Sequence, residues 1–283
     1  MNAFIPLSSR SVLRLTGEDR AGFLQGLLTG DIMAVTAQTS LYAALLTPQG
    51  KILHDLFIAT TGDALLLDVE AARLPDLLQR LDRYRLRARV AFEASTGFAV
   101  LARPGGEAEP GLPARAGASG RRGGGVAMVD PRHPALGIRL LVPADEAGAA
   151  AGRFEDYDRL RLELGVPEGS QDFGDGALLA LEANLDLLNG ISWTKGCYVG
   201  QEVTARTRYR GLIRRRLQPV RIDGPLPPPG TPILCGDRDA GELRSGRDDR
   251  ALALLRTEII AGADAPLLAG AAQVTPLTPL QER

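Results

Sequence analysis

The sequence predicts an α+β fold of antiparallel sheets with a small β-barrel or sandwich at its C-terminal end. Three observations predict it. Strand-like runs are joined by hairpin turns or single helices, without repeated βαβ units. Apolar runs at 41–46 and 52–59 flank TPQGK, where Pro48 and Gly50 favour a chain reversal. Beyond residue 230, short strands alternate with Gly-Asp turns. The 283 residues are 45% hydrophobic and 24% charged, a globular composition long enough to divide its core among two or three subdomains.

The elements follow in order. VLRLT at 12–16 reads as a strand, Gly17 as a turn, and Glu18 and Asp19 as the acidic start of a helix ending at Gly30. After the 41–59 hairpin come a strand at 64–69 and an amphipathic helix at 70–82. RYRLRARV then alternates strictly, predicting a strand with Arg83, Arg85, Arg87 and Arg89 on a solvated face. Residues 104–125, rich in Gly, Pro and Arg, predict a mobile loop, whose RRGGG offers a short basic tract for RNA. Helices are expected at 153–164 and 176–188. GPLPPPG at 224–230 reads as a semi-rigid linker. The expected organisation is an N-terminal α+β part over 1–100, a middle α+β region over 101–222 and a C-terminal barrel over 223–283.

Several function classes are excluded. The net charge of -1 argues against a general nucleic-acid coat, so any anion site must be a local patch. Two cysteines and two histidines cannot hold a four-cysteine cluster within one chain. GxGxxG and GxxxxGK[ST] are both missing from the sequence, which leaves dinucleotide and P-loop binding unsupported. No apolar run approaches the roughly 18–20 residues that span a bilayer, so no membrane partner is expected. The N-terminal stretch has some Ser/Arg character but lacks a secretory core, and the strand pattern begins by Val12. The expected location is the cytoplasm.

The chemistry concentrates in NGISWTKGCYVGQEVTARTRYRGLIRRR, residues 189–216. Gly196 and Gly200 bracket Cys197 in a tight loop, and a helix can open at Gln201. Lys51 and Lys195 are the only lysines in an arginine-rich chain, which hints that an amine is needed at 195. A thiol near a helix N-terminus and two residues from Lys195 would have its thiolate stabilised, making Cys197 a candidate nucleophile or ligand. The competing reading is an inert buried thiol, the expected state of Cys235. Arg206, Arg208, Arg210, Arg214, Arg215 and Arg216 follow with no acidic residue before Asp223. They would draw an anion such as a polyglutamate tail, a phosphate or an RNA backbone, unless distant carboxylates pair with them.

KGCYVGQE at 195–202 resembles the signature of the YgfZ family, folate-binding proteins of the glycine-cleavage T-protein superfamily with mitochondrial relatives in iron–sulfur assembly. TGEDRAGFLQGLLTGDI at 16–32, TPQGKILHDL at 47–56, RLELGVP at 161–167 and NLDLLNGISW at 184–193 extend the likeness. The resemblance implies subdomains ringed around a central cavity that binds tetrahydrofolate or a derivative, the last of them a β-barrel. It implies Lys195 and Cys197 as the reactive pair. Tyr198, Gln201, Glu202 and Arg206 are carried with the signature as ligand contacts. Glu182 stands where a carboxylate meets the pterin. Arg10 and Tyr157 stand where some bacterial relatives hold tryptophans. The implied role is an accessory factor for 4Fe–4S proteins, with iron–sulfur enzymes or assembly factors as partners and effects on tRNA-thiolating radical enzymes. The alternatives are a tetrahydrofolate-dependent aminomethyltransferase or demethylase, and a tRNA-binding module.

Overall fold

In the computed structural model, residues 3–95, 97–105, 109–148 and 151–278 are described. Two five-stranded antiparallel sheets and a closed six-stranded barrel make up the strands. The first sheet runs Leu41–Leu46, Ile52–Thr60, Leu65–Glu70, Arg10–Thr16, Ala91–Ser95. The second runs Ile5–Pro6, Phe98–Arg103, Ile138–Pro143, Gly125–Val129, Ser119–Arg122. Alternation along each strand decides what every face meets. Leu13, Leu15 and Leu67 turn outward onto Leu24, Leu77 and Leu81 of two covering helices, Arg20–Gln25 and Leu74–Arg85. Val12, Ala59 and Leu66 turn inward onto Val100, Met128 and Leu141 of the second sheet.

That inward face also carries charge. Arg10 donates from Nε to Asp68 Oδ1 at 2.7 Å and from Nη1 to Asp55 Oδ1 at 3.1 Å. From the second sheet, Arg139 donates from Nε to Asp68 Oδ2 at 2.5 Å. Arg132 pairs with Asp130 at 2.8 Å and donates to the Tyr157 hydroxyl at 2.9 Å. The guanidinium carbons of Arg139, Arg132 and Arg10 lie 3.9, 4.7 and 5.3 Å from the centre of the Phe57 ring. All these side chains are buried. The geometry meets the two conditions for keeping charge inside a protein, pairing and hydrogen bonding.

A second network docks the barrel. Arg161, on the helix Phe154–Glu163, pairs with Asp158 at 2.7 Å and Asp172 at 2.9 Å. Asp172 accepts from the backbone and hydroxyl of Ser245 on the barrel strand Arg238–Arg247, and Arg247 returns to Asp158 at 2.6 Å.

The structure corrects several expectations. The first helix ends at Gln25, and Leu27 and Leu28 enter the core through a turn. RYRLRARV is not a strand. The second helix continues to Arg85, which places Arg83 and Arg85 in its last turn, where the helix dipole favours cations. Leu86, at φ 43°, then turns the chain. Residues 104–125 are not simply a loop, because Ser119–Arg122 and Gly125–Val129 pair as a hairpin. The RRGGG cations are engaged internally: Arg122 pairs with buried Glu109, and Arg121 donates to the Thr61 carbonyl. Residues 176–188 form successive turns, not a helix. Their backbone bonds sideways, with Leu178 accepting from Ile52 and Glu182 from Leu217. GPLPPPG is a loop inside the barrel. The barrel already begins with Arg215–Asp223, a strand that the sequence division places in the middle region.

The charged face makes stability sensitive to single carboxylates and to acid. Asp68→Ala leaves two buried guanidinium groups without their shared partner. It is expected to cost about 3–5 kcal/mol in urea denaturation. Burial raises the carboxyl pKa of Asp55 and Asp130, but Arg10 acting on Asp55, and Arg132 on Asp130, leave both below the ordinary 3.8. Their contribution is therefore complete above that value and is lost as pH falls through the depressed values. Melting temperature should be flat from neutral pH down to about 4 and fall steeply below it.

Candidate functional site

The signature segment lies against the turn that follows the first helix. Thr29 organises that turn. Its backbone donates to the Ala44 carbonyl, its hydroxyl accepts from the Ala44 amide at 2.8 Å, and the same hydroxyl donates to Gly190 at 2.5 Å. Gln25 braces it from within, donating to Asp31 at 2.9 Å and accepting from the Ile32 amide at 2.8 Å. The result is three backbone carbonyls converging on one point. Lys195 Nζ occupies it, donating to Gln25 O at 2.6 Å and to Leu28 O and Gly30 O at 2.7 Å each.

This corrects the role expected for Lys195. An ammonium has three hydrogens, and all three are engaged by carbonyls. Lys195 anchors the loop and is not free to act as a partner for the thiol. Burial pushes it down to about 8, against the pull of Asp31. The side chain of Tyr198 is the second anchor. It is buried in the main core, 5.3 Å from Lys195 Nζ at the ring centre, and burial pushes its hydroxyl up to about 12. Between these two inward residues, Gly196 and Cys197 are exposed. Gly200 is required at the next bend: its φ is +84°, and a Cβ there would stand 2.6 Å from the Thr47 carbonyl.

The helix expected from Gln201 is present as Gln201–Tyr209. Gln201 is half-buried, and Glu202 and Arg206 are exposed on it. Arg208 stacks on Trp193 at 3.9 Å, fastening the helix to the loop. Two of the six cations of the arginine tract are paired, Arg215 with Glu182 at 3.1 Å and Arg216 with Asp186 at 2.8 Å. Cys235 is buried in the barrel.

Two of the residues expected to meet folate, Tyr157 and Glu182, have partners within the protein. Tyr157 is 1% exposed, and its hydroxyl accepts from Arg132 and lies 3.4 Å from Arg139 Nη1. Glu182 accepts from the Leu179 amide through one oxygen and from Arg215 through the other. Tyr157 packs between the sheets and Glu182 lies beside the barrel strand, and both are engaged within the protein. The carbonyl cradle is the part that residue chemistry alone does not reveal, because backbone oxygens carry no sequence mark. Its signal was the quoted stretch that contains Gln25, Thr29 and Asp31.

Residues 214–281 match the family model described as the CAF17 C-terminal beta-barrel domain. The chain is 37% identical over 282 residues to the human protein named iron-sulfur cluster assembly factor IBA57, mitochondrial, covering 90% of this chain and 78% of that one. It belongs to the IBA57 family of iron–sulfur cluster assembly factors. The Mus musculus IBA57 is 36% identical at the same coverage, and the Pyricularia oryzae homologue is 31% identical over 91% of this chain and 72% of its own. The YgfZ resemblance pointed to this superfamily. The expected cytoplasmic location is corrected, because these IBA57 relatives are named as mitochondrial. The fold matches the crystal structure of glycine cleavage system aminomethyltransferase T from Bartonella henselae. The TM-score is 0.75 over 98% of this chain and 85% of that one, at 15% identity, a likeness of fold alone.

The cradle gives a sharp expectation. Lys195→Arg keeps the charge, but a planar fork cannot direct three hydrogens at carbonyls surrounding one point. The variant should lose about 2–4 kcal/mol in urea denaturation. A change within about 0.5 kcal/mol would show that the cradle does not depend on the ammonium.

Proposed function

We propose that this protein serves iron–sulfur cluster assembly by presenting Cys197 as one thiolate ligand to a cluster shared with a partner protein. The observation that carries the reading is the contrast within the signature: Lys195 and Tyr198 point inward and fix the loop, while Cys197 between them is exposed. Membership of a family of assembly factors supplies the cargo class. The chain has two cysteines, and Cys235 is buried in the barrel. One thiol is therefore on offer, and the other ligands come from the partner. In the ligation step the thiol gives its proton to solvent, the thiolate forms one Fe–S bond, and the ligand it displaces leaves. No electron is transferred.

Folate enters this reading only as the ligand that the family resemblance implies. Tyr157 and Glu182 already bond within the protein, so no step is routed through it. Effects on tRNA-thiolating enzymes follow in this reading from their own need for clusters, without RNA contact. An aminomethyltransferase reading has only a likeness of fold behind it.

The test is anaerobic recovery of 4Fe–4S enzyme activity in a deletion strain. Cys197→Ala should fail to restore it while melting within about 2 °C of wild type, since the side chain is exposed. Full recovery with Cys197→Ala would overturn the assignment.

A further inference from the structure

The helix Gln201–Tyr209 and the turn after it carry cations that the protein itself leaves unanswered. Most surface arginines of this chain are paired, as Arg14 is with Asp63 at 2.6 Å and Arg256 with Asp239 at 2.5 Å. Among the described residues, Arg206, Arg210 and Arg214 are exposed and have neither an ion pair nor a side-chain hydrogen bond. Arg208 has only the face of Trp193. Glu202 is the one acidic residue between Asp186 and Asp223, and it pairs with none of them. Like charges four residues apart, as at Arg206 and Arg210, weaken a helix. Folding alone would not favour this arrangement.

The same face exposes apolar surface. Tyr209 is 80% exposed and Leu212 50%. Arg206, Tyr209 and Arg210 stand three and four residues apart, hence on one side of the helix. Gly211, at φ +61°, turns the chain, and the Leu212 amide donates back to the Thr207 carbonyl at 3.1 Å. Leu212 is thereby held beside the last turn. An aromatic and an aliphatic side chain flanked by arginines have the composition of an interface centre and its charged rim. The face is tied to the thiol. Arg208 stacks on Trp193, four residues before Cys197, and Gly200 seats the helix start against Thr47.

We infer that this face docks the cluster-sharing partner, and that the surface it meets is an acidic protein face with an apolar centre. The inference rests on the assembly reading, which brings a partner to Cys197. Carboxylates on the partner would answer Arg206, Arg210 and Arg214 and steer the encounter, while Tyr209 and Leu212 lose water in the contact. A nucleic acid fits less well. A phosphate backbone calls for a long cationic track, whereas these few cations flank an apolar pair on a chain of net charge -1.

Poly(Glu,Tyr), an acidic polypeptide with aromatic side chains, is the probe in solution, and polyuridylate is the comparison at equal charge. Anisotropy of the labelled polymers with the full chain should show poly(Glu,Tyr) binding about tenfold tighter than polyuridylate. Arg210→Glu with Arg214→Glu should weaken it about tenfold or more. Equal or tighter binding of polyuridylate would overturn the protein partner in favour of RNA, and no saturable binding of either would overturn the face. In the deletion strain, the same double variant should restore less than about a tenth of wild-type 4Fe–4S enzyme activity, and Arg210→Lys with Arg214→Lys at least about half. Both should melt within about 2 °C of wild type, with Cys197 alkylated by neutral iodoacetamide within about threefold of the wild-type rate. Full recovery by the glutamate variant would overturn the docking face and leave the Cys197 ligation standing, since that reading falls only if Cys197→Ala recovers. Equal loss in the lysine and glutamate variants would also overturn it, because charge would then not be what the partner reads.

Discussion

Asp68 is the carboxylate on which the body of the protein depends. One oxygen accepts from Arg10 on its own sheet, and the other accepts from Arg139 on the facing sheet. Apolar contact between the sheets is strong but has no direction, and it would tolerate sliding. The ion pairs do not. A one-residue slip of the strand Leu65–Glu70 would send Asp68 to the helix-covered face, away from both guanidinium groups. Register within the first sheet and alignment between the two sheets are thus fixed by the same side chain. Tyr157 extends the constraint to the helix Phe154–Glu163 through Arg132, and Arg161 extends it from that helix to the barrel.

The signature loop lies at the far end of this chain of constraints. The strand Leu41–Leu46, two places from the Asp68 strand, holds Thr29 by its Ala44 backbone. Thr29 shapes the turn whose carbonyls receive Lys195. The loop therefore takes its position from the sheet by polar contacts of fixed length. That is what an exposed thiol needs if it is to meet a partner in one geometry, because exposure by itself would leave the loop free to wander.

Much of this was legible in the sequence. The 41–59 hairpin, the C-terminal barrel and the helix opening at Gln201 follow from turn residues and apolar period. The signature loop was legible too, because glycines on both sides of Cys197 exclude a regular element there. What failed has physical causes. The alternation of RYRLRARV belongs to a helix end followed by a turn, and a short run fits either period. The apolar run at 176–188 looked helical, but its backbone bonds to neighbours on both sides. Lys195 was read through its distance from Cys197 along the chain, whereas its partners lie more than 160 residues away. Asp55 and Asp68 did leave a mark, as single carboxylates inside the apolar runs ILHDLFIAT and LLLDVE.

The barrel's closure bears on when the protein becomes competent during synthesis. The strand Arg215–Asp223 continues from the signature helix, yet its sheet partners are Arg250–Arg256 and Ala272–Pro276. Neither exists while the ribosome is still reading the codons for the loop. The downstream end of the signature segment is secured only when the last strand emerges and the ring of hydrogen bonds closes. A truncated or stalled chain would carry the cysteine without the frame that aims it. In the proposed role, fixing that end last would reserve the oriented thiol for the finished molecule.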